Sequence, residues 1–110
     1  MNALVGDIPD IALSNGVTIP QLGLGTSHNG GYSQETLLHA LRLGVQHLDT
    51  AQRYGTEAAI GHCISSLDID RSRMFLTTKL WPGNYSDITE ATKTSLANLQ
   101  TDYIDLYLLH

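Results

Sequence analysis

Met74-Phe-Leu-Thr-Thr-Lys79 is a short run of residues that suit a pleated surface, and it ends on a charge. The same plan recurs on both sides of it. Val45-Gln-His-Leu-Asp49 precedes it, Tyr103-Ile-Asp-Leu-Tyr-Leu-Leu-His110 follows it, and Leu22-Gly-Leu-Gly25 stands nearer the start. Helical periodicity fills the intervals. Ser33 is placed to cap a helix whose Leu37, Ala40 and Leu41 share a face, and Gly44 is placed to stop it. Ile60, Cys63, Ile64 and Leu67 form a second stripe. A third helix is expected from about Ser86, where Ser86 with Thr89 and Asp87 with Glu90 both have capping spacing, and Ile88, Thr92, Ser95, Leu96 and Leu99 fall on one side. Strands alternating with helices predict a parallel sheet, because each return in the same direction needs a crossover.

Alternation alone leaves a doubly wound α/β sheet and a (β/α)8 barrel equally open. The polar run ends separate them. Asp49, Lys79 and His110 sit at the carboxyl ends of successive runs, where a barrel assembles its active site. Such a barrel takes about 250 residues and eight strands, and 110 residues supply half the strands. The expectation is therefore an α/β fold of the TIM barrel family, reduced to an N-terminal hairpin, about four strands and three helices, and apparently truncated. The hairpin is read at Ile11 to Pro20, where Asn15-Gly16 divides two apolar arms and suits a type I′ turn. Residues 1–10 read as a tail and 11–110 as one domain.

Six basic and eleven acidic residues leave a net charge of −5, which argues against nucleic acid or an anionic membrane as partner. A small ligand, neutral or anionic, remains open if positive charge is local. The 42% hydrophobic content fits a globular domain, and one cysteine, Cys63, excludes an internal disulfide and suits a reducing, cytoplasmic setting. The first ten residues lack the pattern of a secretory signal, and no run reaches the length of a membrane span. The adjacent His62 and Cys63 point apart on a helix and match no zinc spacing, so no metal site is expected. Gly23-x-Gly25 is an incomplete dinucleotide fingerprint.

Tyr54 adds a phenol to the polar strand ends. A phenol is a sluggish proton donor at neutral pH, and a nearby ammonium stabilises the anion it leaves behind. Lys79 can supply that charge, Asp49 can offset the cost of burying it, and His110 can orient a carbonyl oxygen beside Tyr54. Together they can protonate and polarise a carbonyl while leaving its carbon open to attack. Each residue also has a plainer reading. Asp49 can cap a turn, Tyr54 and Trp81 can pack in loops, and Lys79 and His110 can be solvated surface groups.

Leu13-Ser-Asn-Gly16, Ile19-Pro-Gln-Leu-Gly-Leu-Gly-Thr26, His47-Leu-Asp-Thr-Ala51 with Tyr54-Gly55, Thr77-Thr-Lys-Leu-Trp81 and Asp102-Tyr-Ile-Asp-Leu-Tyr-Leu-Leu-His110 occur in one order. In that order they resemble the aldo-keto reductase family, over nearly the whole chain. The resemblance implies a (β/α)8 barrel closed by a hairpin at its amino-terminal end, and NADPH-dependent interconversion of aldehydes or ketones with alcohols. It assigns Asp49, Tyr54, Lys79 and His110 as catalytic tetrad, with Tyr54 as general acid in reduction and general base in oxidation. It places Gly25, Thr26, Ser27 and Asp49 beside the cofactor, and Tyr54, Trp81 and His110 beside a small carbonyl or alcohol substrate. Many relatives carry tryptophan where this chain has Ser27, which implies a more open, less apolar pocket. The family segments that complete the NADPH site follow the position of His110.

Two other functions stay in view: an inactive fragment or regulatory relative, and an aldolase-like enzyme using Lys79 as a Schiff-base nucleophile.

Overall fold

The structure, a computed structural model, describes residues 8–27 and 32–110. Most of the expected tail over 1–10, and part of the glycine-rich loop after Thr26, lie outside them. Strands β1 (Asp10–Ala12) and β2 (Thr18–Pro20) pair antiparallel, with Ile11 opposite Ile19. The hairpin is where the sequence places it, but its turn is not the expected type I′. Gly16 N donates to Leu13 O and Leu13 N to Val17 O, and only Gly16 takes a positive φ, at 86°. Asn15 instead accepts from Val17 N through its side chain. This is a three-residue loop closed by a left-handed glycine, so Asn15 escapes the strained conformation that type I′ demands.

Strands β3 (Gly23–Gly25), β4 (His47–Asp49), β5 (Phe75–Leu80) and β6 (Leu106–Leu109) form one parallel sheet in chain order, with no reversal. Helices α1 (Gln34–Arg42), α2 (Glu57–Ser66) and α3 (Ile88–Leu99) connect them. Leu37 and Leu41 of α1, Ile60, Cys63 and Ile64 of α2, and Leu99 of α3 share one core with Leu48 of β4 and Leu76 of β5. All three helices therefore cover the same face of the sheet. A doubly wound sheet reverses its strand order and covers both faces, so the architecture is that of the amino-terminal part of a (β/α)8 barrel. Alternation along the strands turns His47, Asp49, Phe75, Thr77 and Lys79 to the opposite face, the one a barrel encloses.

The helix ends show why these connections are sharp. Ser33 caps α1 by accepting from Thr36 N, as its position suggests. Past the other end, Gly44 N donates to Leu41 O and Val45 N to Ala40 O, with Gly44 at φ 96°. The same pair of bonds ends α2 at Asp68 and α3 at Gln100, both left-handed without being glycine. Helix α3 starts from Asp87, whose carboxylate accepts from Glu90 N, after a 3-10 turn over Pro82–Asp87. Its expected apolar side is only partly buried, since Ile88 is exposed.

At the amino end of the sheet Arg71 ties the stretch before β5 to the loop before β6. Its guanidinium donates to Thr101 Oγ1, Met74 O and Tyr103 O, and reaches Asp105 Oδ2 at 2.7 Å while stacking on the Tyr103 ring. Asp105 Oδ2 also accepts from Leu76 N. Arg71→Ala leaves this mostly buried carboxylate without its cation and is expected to cost about 2 kcal/mol. A denaturant midpoint unchanged from the parent protein would show the network to be dispensable.

Candidate active site

Three strand ends and one turn converge on the carboxyl side of the sheet. Asp49 ends β4 and Lys79 lies one residue before the end of β5. His110 follows β6, held by donation of its backbone N to Leu80 O. Tyr54 arrives by a 3-10 turn over Gln52–Tyr54, which Gly55 terminates at φ 72°. That left-handed glycine reverses the chain into α2, a step a β-carbon would strain.

The Lys79 ammonium uses all three of its donors. Nζ lies 2.7 Å from Asp49 Oδ2, 2.9 Å from Thr50 O and 3.3 Å from Tyr54 Oη. The Lys79 side chain is only 15% exposed, so the paired carboxylate offsets the loss of water. Tyr54 and His110 stand perpendicular with ring centroids 5.9 Å apart, and the Trp81 indole meets His110 at 5.6 Å. The four polar residues singled out in the sequence thus share one cluster, with Trp81 along its edge.

Under this cluster lies a layer of hydroxyls that no periodicity announces. Thr26 donates to Asp49 O from both its backbone N and its Oγ1. Its hydroxyl also meets that of Thr56, which in turn meets that of Thr50. Thr26 is fully buried and bears on the site through the backbone of Asp49. Gly25 differs. A β-carbon there meets no described atom within 4 Å, so among the described residues the strand end beside Asp49 borders open space. Ser27, next along the loop, is partly buried.

Gln52 was not singled out by the sequence, yet it fixes the turn that carries Tyr54. Its Oε1 accepts from Trp81 N and Asn84 Nδ2, and its Nε2 donates to Ala91 O, Ser95 Oγ and Tyr107 Oη. Glu57, in the first turn of α2, is likewise buried and accepts from Thr78 Oγ1 at 2.7 Å and Ser95 Oγ at 3.2 Å. The only signal for either was proximity to Tyr54 in the chain. Cys63 lies in the helix core, where burial pushes its thiol up and keeps it protonated. Among the described residues no group of three or more histidine, cysteine or acidic side chains could hold a metal ion.

Chemically, the cluster can give a proton from Tyr54 Oη and hold the resulting charge against a fixed ammonium. Comparison with known proteins gives this arrangement a lineage. An uncharacterized oxidoreductase of Caenorhabditis elegans is 45% identical over 105 residues, covering 94% of this chain and 33% of its own length. Methylglyoxal reductase DkgA of Escherichia coli is 40% identical over 101 residues, covering 91% of this chain and 37% of its own. A crystal structure of an aldo-keto reductase from Bombyx mori in complex with NADP superposes with a TM-score of 0.82 at 34% identity, over 93% of this chain and 38% of that one. The chain thus spans about a third of the length of the curated relatives it matches. The family model for aldo/keto reductases matches residues 21–110, a span that holds every strand of the parallel sheet and all four clustered polar side chains, and the chain belongs to the aldo/keto reductase family.

Proposed function

We propose that the intact protein is an NADPH-dependent oxidoreductase that reduces aldehydes or ketones to alcohols, and runs the reverse reaction, with Tyr54 as the proton-transferring group. The observation that carries this reading is the position of Lys79 Nζ, 3.3 Å from Tyr54 Oη and 2.7 Å from Asp49 Oδ2. The ammonium favours the phenolate left after proton donation, and Asp49 keeps that ammonium in place. His110 borders Tyr54 on the open side, where it can orient the carbonyl oxygen toward the phenol.

The residues present fit a nicotinamide cofactor. Open space at Gly25 adjoins Asp49, whose side chain is 37% exposed and retains acceptor capacity for a cofactor hydroxyl. Gly25, Ser27 and Asp49 are the groups that would border the cofactor, with Thr26 supporting Asp49 from beneath. When bound, NADPH supplies the hydride. Relatives named for methylglyoxal reduction and for an NADP complex support the same substrate class and cofactor. The free Cys63 suits a reducing compartment, so we place the protein in the cytoplasm.

The test is NADPH consumption by the intact protein over a panel of small aldehydes and ketones, with alcohol formed in equal amount. A protein that binds NADPH yet reduces none of them would overturn the reading. The Schiff-base alternative has a separate check. Lys79 is held by three acceptors and its lone pair is unavailable while it remains an ammonium. Borohydride treatment in the presence of a carbonyl is expected to leave no adduct on Lys79, and a trapped adduct there would favour aldolase-like chemistry.

A further inference from the structure

We propose that Arg53 selects carbonyl substrates that carry an anionic group, a carboxylate or a phosphate, by binding that group above Trp81. The proposal rests on the reductase reading of the same site and adds to it a substrate class.

Arg53 lies in the turn that delivers Tyr54, and it is exposed. Its guanidinium carbon stands 5.4 Å from the centroid of the Trp81 ring. From there the rings follow in sequence toward the proton donor, Trp81 to His110 at 5.6 Å and His110 to Tyr54 at 5.9 Å. A carbonyl placed between Tyr54 and His110, with a chain of a few carbons lying along the indole, brings its far end to the guanidinium.

Two other cations near strand ends are committed. Lys79 is bound to Asp49, and Arg71 to Asp105 at the opposite end of the sheet. Arg53 forms no ion pair among the described residues. A cation–π contact at this distance uses no N–H donor of the guanidinium, so its N–H groups remain free to pair with the oxygens of a carboxylate or phosphate. A chain of net charge −5 does not attract anions by its overall field, so an anionic substrate depends on a local cation, and among the described residues Arg53 is the cation at this rim that no carboxylate pairs.

The experiment compares 4-oxobutanoate with butanal, which share a carbon chain and differ in the carboxylate, using the intact protein and NADPH at low ionic strength. The parent protein is expected to favour 4-oxobutanoate in kcat/KM. Arg53→Gln is expected to lower the ratio of the two kcat/KM values by about tenfold to a hundredfold, the worth of a hydrogen bond to a charged group. Arg53→Lys, which keeps the charge and loses the paired N–H edge, is expected to keep part of the preference, and added salt to weaken it. A ratio unchanged in Arg53→Gln, or an equal loss on both aldehydes, overturns the anion role while leaving the reductase reading standing. Succinate, which cannot be reduced, separates the two claims further through its effect on the fluorescence of Trp81. If neither aldehyde is reduced but succinate perturbs the parent and not Arg53→Gln, the anion site stands and the reductase reading falls. If succinate perturbs neither protein and neither aldehyde is reduced, both fall.

Discussion

Tyr54→Phe is expected to lower carbonyl turnover by about 10²- to 10⁴-fold, the contribution of a positioned general acid, with little change in the fold or in cofactor affinity. The ring of Tyr54 makes contacts that phenylalanine keeps, 4.9 Å from Lys79 Nζ and perpendicular to His110. What is lost is one hydroxyl, whose recorded bond is to Lys79 at 3.3 Å. Lys79 retains Asp49 and Thr50 O, so its charge stays paired and the strand ends stay joined. The effect should therefore fall on kcat with NADPH saturating, and cofactor titration should give the parent value. If His110 were the proton donor instead, the substitution would leave turnover near the parent level. That result would reassign the proton and leave Tyr54 as packing between Lys79 and His110.

The polar rim was legible in the sequence because a strand end is easy to find and a charged residue closing an apolar run is conspicuous. Asp49, Lys79 and His110 stood out in this way, and the parallel register then aligns Gly25 with Asp49 and both with Thr77. The choice of barrel over doubly wound sheet rested in the sequence on those polar ends and on the family resemblance, and the structure bears it out through the one face that all three helices cover, which no period within a helix reports. The turns were harder for a different reason. Asn15-Gly16 has the composition of a two-residue turn, but the pairing of Ala12 with Thr18 leaves a longer loop, and the loop length selects the backbone. Asp68 and Gln100 end helices in a conformation that glycine signals and they do not. Gln52 and Glu57 were hidden because their partners are distant in sequence. Gln52 reaches Ala91 and Ser95, and Glu57 reaches Ser95, through contacts that exist only once α3 has docked.

That docking depends on Gly61, and Gly61→Ala is expected to destabilise the protein by about 3 kcal/mol. A β-carbon at Gly61 comes 2.4 Å from Asn98 O and 2.8 Å from Leu99 C, far inside ordinary contact. These are backbone atoms, so no rotamer change relieves the overlap. They are also held on both sides. Leu99 is 2% exposed in the common core, and the end of α3 is fixed by donation from Gln100 N to Ala97 O and from Thr101 N to Leu96 O. On the other side Ile60, Cys63 and Ile64 anchor α2 in the same core. The two helices must move apart by about 1 Å, which forfeits much of the dispersion contact along their interface. Alanine favours a helix interior over glycine by about 1 kcal/mol, so propensity alone predicts stabilisation, and the sign of the effect decides which account holds. Separating α2 from α3 also draws Ser95 away from Glu57 and Gln52, so the Tyr54 turn should loosen as the melting temperature falls. A melting temperature at or above that of the parent would mean that the helices accommodate the methyl group and that close approach at Gly61 does not hold the site together.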